Sequence, residues 1–121
     1  IKDYFIEEGY EWILIDTGVP HLVALVNDIS KFDKELAKKM RMKYNANVNF
    51  AQFENGVLKV RTYERGVEDE TLACGTGMCA SFLSAKNKNY IKDFSKIYPT
   101  SGEELEVKLE NETLFFKGEV K

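Results

Sequence analysis

Cysteine and proline are nearly absent from this chain, with two of each in 121 residues, and histidine occurs once, at His21. Two cysteines cannot staple a small secreted scaffold, so the sequence predicts a reducing, cytoplasmic setting. No run approaches the ~20 consecutive apolar residues of a membrane-spanning helix, which predicts no membrane partner. An excess of one charge is missing as well: 17 Lys and Arg against 20 Asp and Glu leave a formal −3. An evenly mixed surface of this kind argues against nucleic-acid binding, which draws on clustered Lys and Arg. Gly/Ser linkers and internal repeats are absent, and the two prolines, Pro20 and Pro99, mark no boundary. The chain opens on Ile1 rather than Met and lacks the charged and apolar regions of a secretory signal. The expectation is an internal start, as if cut from something longer. What is present is a 44% hydrophobic composition. A chain of this length buries roughly two-thirds of its unfolded surface, so residues 1–121 are expected to form one domain with a real core.

The patterning predicts an α+β domain with a largely antiparallel sheet. Tyr10–Asp16 alternates around Trp12 and Leu14, and His21–Val26 is a short apolar run. Both read as strands with Thr17–Pro20 turning between them. Ser30 followed by Asp33 has the spacing of a capping box. Phe32, Leu36, Ala37 and Met40 then recur at three and four residues, predicting an amphipathic surface helix over about residues 31–44. Asn47–Phe53 and Leu58–Tyr63 flank Asn55-Gly56, a hairpin signal because a type I′ turn wants positive φ at both central positions. Met78, Cys79, Phe82, Leu83 and Ala85 leave few polar gaps before Lys86–Lys88, which predicts a helix buried on most sides. Leu105–Leu109 and Leu114–Phe116 read as a final pair of strands. Two helices and six or seven strands, several joined by hairpins, fit α+β better than a βαβ array.

The segment Glu64-Arg65-Gly66-Val67-Glu68-Asp69-Glu70-Thr71-Leu72-Ala73-Cys74-Gly75-Thr76-Gly77 joins a strand end, a charged loop, a thiol and a helix start. The first N–H groups of a helix lack internal partners and lie at the positive end of its dipole, so the Cys74–Gly77 turn suits an anion. The same field stabilises a thiolate, which makes Cys74 a candidate base or nucleophile. The plainer alternative is a buried cysteine beside two glycines that only make a tight turn.

Four blocks, in order, carry a specific resemblance: Asp16-Thr17-Gly18-Val19-Pro20-His21, Asn47-Val48-Asn49-Phe50, Arg61-Thr62-Tyr63-Glu64-Arg65-Gly66, and Glu70-Thr71-Leu72-Ala73-Cys74-Gly75-Thr76-Gly77. Together they resemble the carboxy-terminal half of diaminopimelate epimerases. That resemblance implies a sheet wrapped around a central buried helix, plus one surface helix. It also implies a cofactor-independent epimerisation of LL- to meso-diaminopimelate, a step of lysine and peptidoglycan precursor biosynthesis, by two cysteines on opposite faces of the α-carbon.

By the same resemblance Cys74 is the catalytic cysteine of this half, and Gly75 and Thr76 offer backbone N–H groups to the substrate α-carboxylate. Arg65 suits a carboxylate through its planar fork and Glu64 an ammonium. Asn47 resembles the asparagine that holds the distal end of the substrate. His21 resembles a histidine near the thiols that, with Glu64, adjusts their pKa values. The plainer alternatives are a surface ion pair for Glu64-Arg65, a turn residue for Asn47 and a structural histidine for His21. Many members carry Asn where Val19 stands, which removes one side-chain ligand, and Asp69 replaces a more usual Gly in the loop. Cys79, five residues beyond Cys74, would approach substrate from the same side and reads as a buried core cysteine. Cys-x4-Cys with one distant histidine is no zinc set, so no metal is expected. The implied partners are a small-molecule substrate and a missing amino-terminal domain with the second cysteine; a homodimer of the full enzyme stays open. The chain alone is expected to be nearly inactive. The competing readings are a racemase of the same fold acting on another amino acid, and a non-catalytic module whose Cys74 loop holds a carboxylate.

Overall fold

The computed structural model describes residues 3–71, 75–102, 104–111 and 113–118. In chain order these form β1 (Asp3–Glu7), β2 (Tyr10–Asp16), β3 (Pro20–Leu25), α1 (Lys34–Tyr44), β4 (Asn47–Glu54), β5 (Val57–Glu64), β6 (Asp69–Thr71), α2 (Gly75–Asn87), β7 (Phe94–Tyr98), β8 (Leu105–Glu110) and β9 (Thr113–Gly118). One mixed sheet runs β1-β2-β3-β4-β5-β7-β8-β9, with β6 paired to β5. Most neighbours are antiparallel, as the patterning predicts. Two pairs are parallel, β3 with β4 and β5 with β7. Parallel neighbours need a crossover, and α1 and α2 lie on those two connections. The nine strands among the described residues exceed the six or seven expected, because β1, β6 and β7 carry weak patterns.

Local chemistry explains the corners. Asn55 and Gly56 have φ of 53° and 78°, and Glu54 pairs with Val57, so the two-residue hairpin forms as its sequence predicts. The helix start differs by three residues. Asp28 caps a short 3-10 turn at Ile29–Lys31, and Asp33 accepts from the Leu36 N–H at 3.0 Å as the true cap of α1. Asn45, left-handed at φ 52°, ends that helix.

The sheet has a core on each face. Trp12, Leu22, Ala24, Val48, Phe50 and Tyr63 pack with Ala37 and Met40 of α1. On the other face Ile13, Ile15, Val23, Ala51, Leu58, Val60, Ile97 and Val107 gather with Met78, Ala80, Phe82 and Ala85 of α2. Strands with both faces covered read as near-continuous apolar runs, which is why β3 shows no alternation. Ser81 and Ser84 are also buried, so α2 is enclosed on most sides, as expected. Cys79 is only half-buried and is not part of that cluster, so the buried core placement expected for it is corrected. Among the described residues no helix is long and apolar enough to cross a membrane.

Candidate functional site

His21 follows Pro20 at the start of β3, and the parallel register sets it opposite Asn47 at the start of β4, with Val23 opposite Asn49. Side chains alternate across a strand. Leu22, Val48 and Phe50 belong to the α1 face, so His21, Asn47 and Asn49 belong to the α2 face. Thr62 of β5 stands opposite Asn49 on that face, and Glu64 ends β5. Thr76 is in the first turn of α2.

The four buried side chains form a chain of hydrogen bonds ending on that helix. Thr62 Oγ1 donates to Asn49 Oδ1 at 2.8 Å. Asn49 Nδ2 donates to the Leu22 carbonyl at 3.1 Å and lies 3.0 Å from His21 Nδ1. His21 Nε2 lies 3.0 Å from Thr76 Oγ1. Asn47 Oδ1 accepts from the Arg65 N–H at 2.6 Å, while its Nδ2 stands 3.5 Å from His21 Nε2. His21 and Asn49 are fully buried, and Asn47 nearly so. Burial pushes the His21 pKa down to about 4, with the Arg65 cation lowering it further and the Asp16 carboxylate opposing. The ring is therefore neutral at pH 7.

The guanidinium of Arg65 donates through Nη1 to the Asn45 carbonyl at 2.9 Å, which pins it to the end of α1. Glu64 is half-buried at the strand end, and its carbonyl accepts from the Glu68 N–H at 2.8 Å, closing the turn into β6. Asp69, expected in a loop, begins β6 and pairs with Lys34 of α1. Arg61 grips Glu70 with two bonds, Nε to Oε2 at 2.6 Å and Nη2 to Oε1 at 2.7 Å. These contacts brace the segment leading toward α2. Cys74 lies outside the described residues, and Gly75 opens α2.

Of the residues predicted from sequence, the fold thus brings His21, Asn47, Glu64, Arg65, Gly75 and Thr76 to one end of the sheet. Asn49 and Thr62 went unassigned. The signal for them was parity: each is two residues from an assigned site residue on the same strand. Two surface concavities, of about 500 Å³ beside Arg61 and Thr100 and about 640 Å³ between Glu8 and Lys39, lie away from this end. Among the described residues no group of three or more His, Cys, Asp or Glu side chains is placed to hold a metal ion.

Solved structures define the fold class. A phenazine biosynthesis PhzF-family protein from Enterococcus faecalis superposes with a TM-score of 0.66 at 19% identity, over 93% of this chain and 40% of that one. A predicted epimerase from Pseudomonas aeruginosa gives 0.51 at 11% identity, over 81% of this chain and 36% of that one. The chain thus has the α+β architecture shared by PhzF-type proteins and this epimerase. Sequence goes further, because the family model described as diaminopimelate epimerase matches residues 13–121. Proteins named diaminopimelate epimerase from Nitratiruptor sp. and Campylobacter jejuni strain RM1221 are 58% and 54% identical over all of this chain and 49% of their own lengths. One from Helicobacter pylori is 42% identical, over 99% of this chain and 45% of its own length. The chain belongs to the diaminopimelate epimerase family. It spans about half the length of the curated relatives it matches.

Proposed function

We propose that this chain is the carboxy-terminal half of a diaminopimelate epimerase, supplying Cys74 and one wall of the substrate cleft. The observation that carries the reading is the 3.0 Å contact between His21 Nε2 and Thr76 Oγ1, 55 residues apart in sequence. It ties the Pro-His motif to the Gly-Thr-Gly helix start, with Asn47 and Arg65 alongside. In this reading the sheet wraps α2, supported by the single cluster that β2, β3, β4, β5, β7 and β8 make with that helix.

The chemistry asks for little beyond such a site. An amino-acid α-proton is a very weak acid, so its removal without an electron sink depends on stabilising the charge that develops. The first-turn N–H groups of α2, from Gly75 and Thr76, receive the α-carboxylate onto which that charge spreads. Cys74, immediately before the helix, takes or returns the proton on one face, and a cysteine of the missing half serves the other. Glu64 meets an ammonium, and Asn47 and Arg65 the distal carboxylate. Neutral His21 offers a hydrogen bond near the thiol without a competing charge, which with Glu64 sets the thiol's basicity.

The test is solvent deuterium exchange at the α-carbon of diaminopimelate. This chain alone should be nearly inactive, the protein with both halves active, and Cys74→Ala in that protein about a hundredfold to ten-thousandfold slower, the usual contribution of a general acid–base group. Full activity of Cys74→Ala, or substantial stereoinversion by this chain alone, would overturn the assignment. Binding without exchange in the two-half protein would favour a carboxylate-binding module.

A further inference from the structure

The orientation of the Asn49 amide is decided by chemistry. The Leu22 carbonyl is only an acceptor, so the Asn49 atom 3.1 Å from it is the NH2 group. The oxygen on the other side accepts from Thr62 at 2.8 Å. The second hydrogen of the same NH2 group then faces His21 Nδ1 at 3.0 Å, which makes that ring nitrogen the acceptor. In a neutral imidazole, which nitrogen carries the hydrogen is set by the bond the other one makes. We propose that Asn49 is a positioning residue: it locks His21 as the Nε2–H tautomer, so that Thr76 Oγ1 accepts from the ring and the Thr76 hydroxyl is fixed as a donor on its other side.

The consequence for the site, which rests on the reading that an anion binds at the start of α2, is one of sign. With Nε2–H in place, Thr76 presents a hydrogen to that anion. With the tautomer reversed, Nε2 becomes an acceptor, the Thr76 hydroxyl turns back to satisfy it, and a lone pair faces the anion. The Asn47 NH2 group, 3.5 Å from Nε2, is too distant to take over the ring contact.

Asn49→Asp tests this, because a carboxylate of nearly the same shape accepts from Nδ1–H and selects the other tautomer. His21 is the sole histidine, so two-dimensional ¹H–¹⁵N spectra of the labelled 121-residue chain report one ring. The unsubstituted chain at neutral pH should show Nε2–H with an unprotonated Nδ1, and Asn49→Asp should show the reverse, circular dichroism confirming that it folds. Nδ1–H or an imidazolium in the unsubstituted chain overturns the proposal whether or not the variant folds. Retention of Nε2–H in folded Asn49→Asp overturns it too. In the protein carrying both halves, Asn49→Asp should raise KM for diaminopimelate about tenfold or more, the value of one hydrogen bond to a charged group. In a Thr76→Val background it should add little. A reversed tautomer with unchanged KM overturns the anion site at Thr76 while leaving the lock itself standing.

Discussion

His21 makes stability depend on pH in a window that little else occupies. Its ordinary pKa is 6.5, and burial lowers it to about 4 in the folded chain. A group with a depressed folded pKa contributes stability that is fully present above its unfolded pKa and is lost as pH falls through the folded one. The window therefore runs from about pH 6.5 down to about 4. Each unit of difference is worth about 1.4 kcal/mol. From about pH 8 to about pH 5 the unfolded ring takes up a proton that the folded ring refuses, a difference that integrates over pH to a loss of about 2 kcal/mol. Completing the window brings the loss to about 3 kcal/mol. In a domain of this size 2 kcal/mol lowers the thermal midpoint by about 8 °C.

The charged groups near the ring are Asp16 and Arg65, and they act in opposite senses. The shifted carboxylates Glu7, Glu68, Asp69, Glu70 and Glu104 are all lowered, so their contributions fade at lower pH than the upper part of this window. Urea titrations of the chain at about pH 8, 6.5 and 5, alongside His21→Gln, isolate the effect, because glutamine keeps a polar group at the site and cannot titrate. The expected result is a mean slope of about 1 kcal/mol per pH unit between the two lower points, absent from His21→Gln. Equal stability of the unsubstituted chain at all three pH values would refute the reasoning, as would an identical slope in the variant.

Other outcomes follow from single contacts. Gly56→Ala should lower stability by about 1 kcal/mol in urea titration, all of it backbone strain, because φ is +78° and an added Cβ meets nothing within 4 Å. Glu70→Gln should cost about 2 kcal/mol, since it breaks a two-bond grip on Arg61, whose guanidinium also donates to the Ile29 carbonyl and stacks 4.6 Å from the Phe32 ring. Its Arg61-dependent part should shrink as pH falls through the lowered Glu70 pKa, and a double-mutant cycle with Arg61→Met measures the pair. In iodoacetamide labelling against pH, Cys74 of the two-half protein should react at lower pH than an ordinary thiol. Unshifted reactivity would argue against a helix-stabilised thiolate.

What the sequence made legible divides along physical lines. Local signals read well: the Asn55-Gly56 turn, the alternation of β2 and β8, and the apolar run of α2 depend on neighbours in the chain. β1 was missed because its hairpin turns on Glu8-Gly9, and glutamate at φ 55° is not a residue the turn advertises. β6 hid in a charged loop because its strand is held by ion pairs, Glu70 to Arg61 and Asp69 to Lys34, rather than by apolar alternation. The capping box at Ser30 misplaced the start of α1 because Asp28 and Asp33 each took a separate turn to cap. His21, Asn47, Glu64, Arg65, Gly75 and Thr76 could be named from motifs. The part played by Asn49 and Thr62 could not, since it depends on β3 lying parallel to β4, a pairing that no local pattern encodes.

That same pairing explains why four motifs distant in sequence converge. A parallel neighbour brings strand starts together, so Pro20-His21 and Asn47 arrive side by side. An antiparallel neighbour sets an end beside a start, so Glu64, which closes β5, and Arg65 just after it reach the same end of the sheet. β6 then runs back along β5, with Thr71 opposite Thr62, and α2 opens at Gly75. The first turn of α2 returns to His21. Each side chain of the cluster stands within three residues of an element terminus, and β3, β4, β5 and α2 that carry them are packed into the two cores. A site built this way joins one end of the sheet to the start of α2. First-turn N–H groups on such a frame are what an anion needs, which is the arrangement the proposed function draws on.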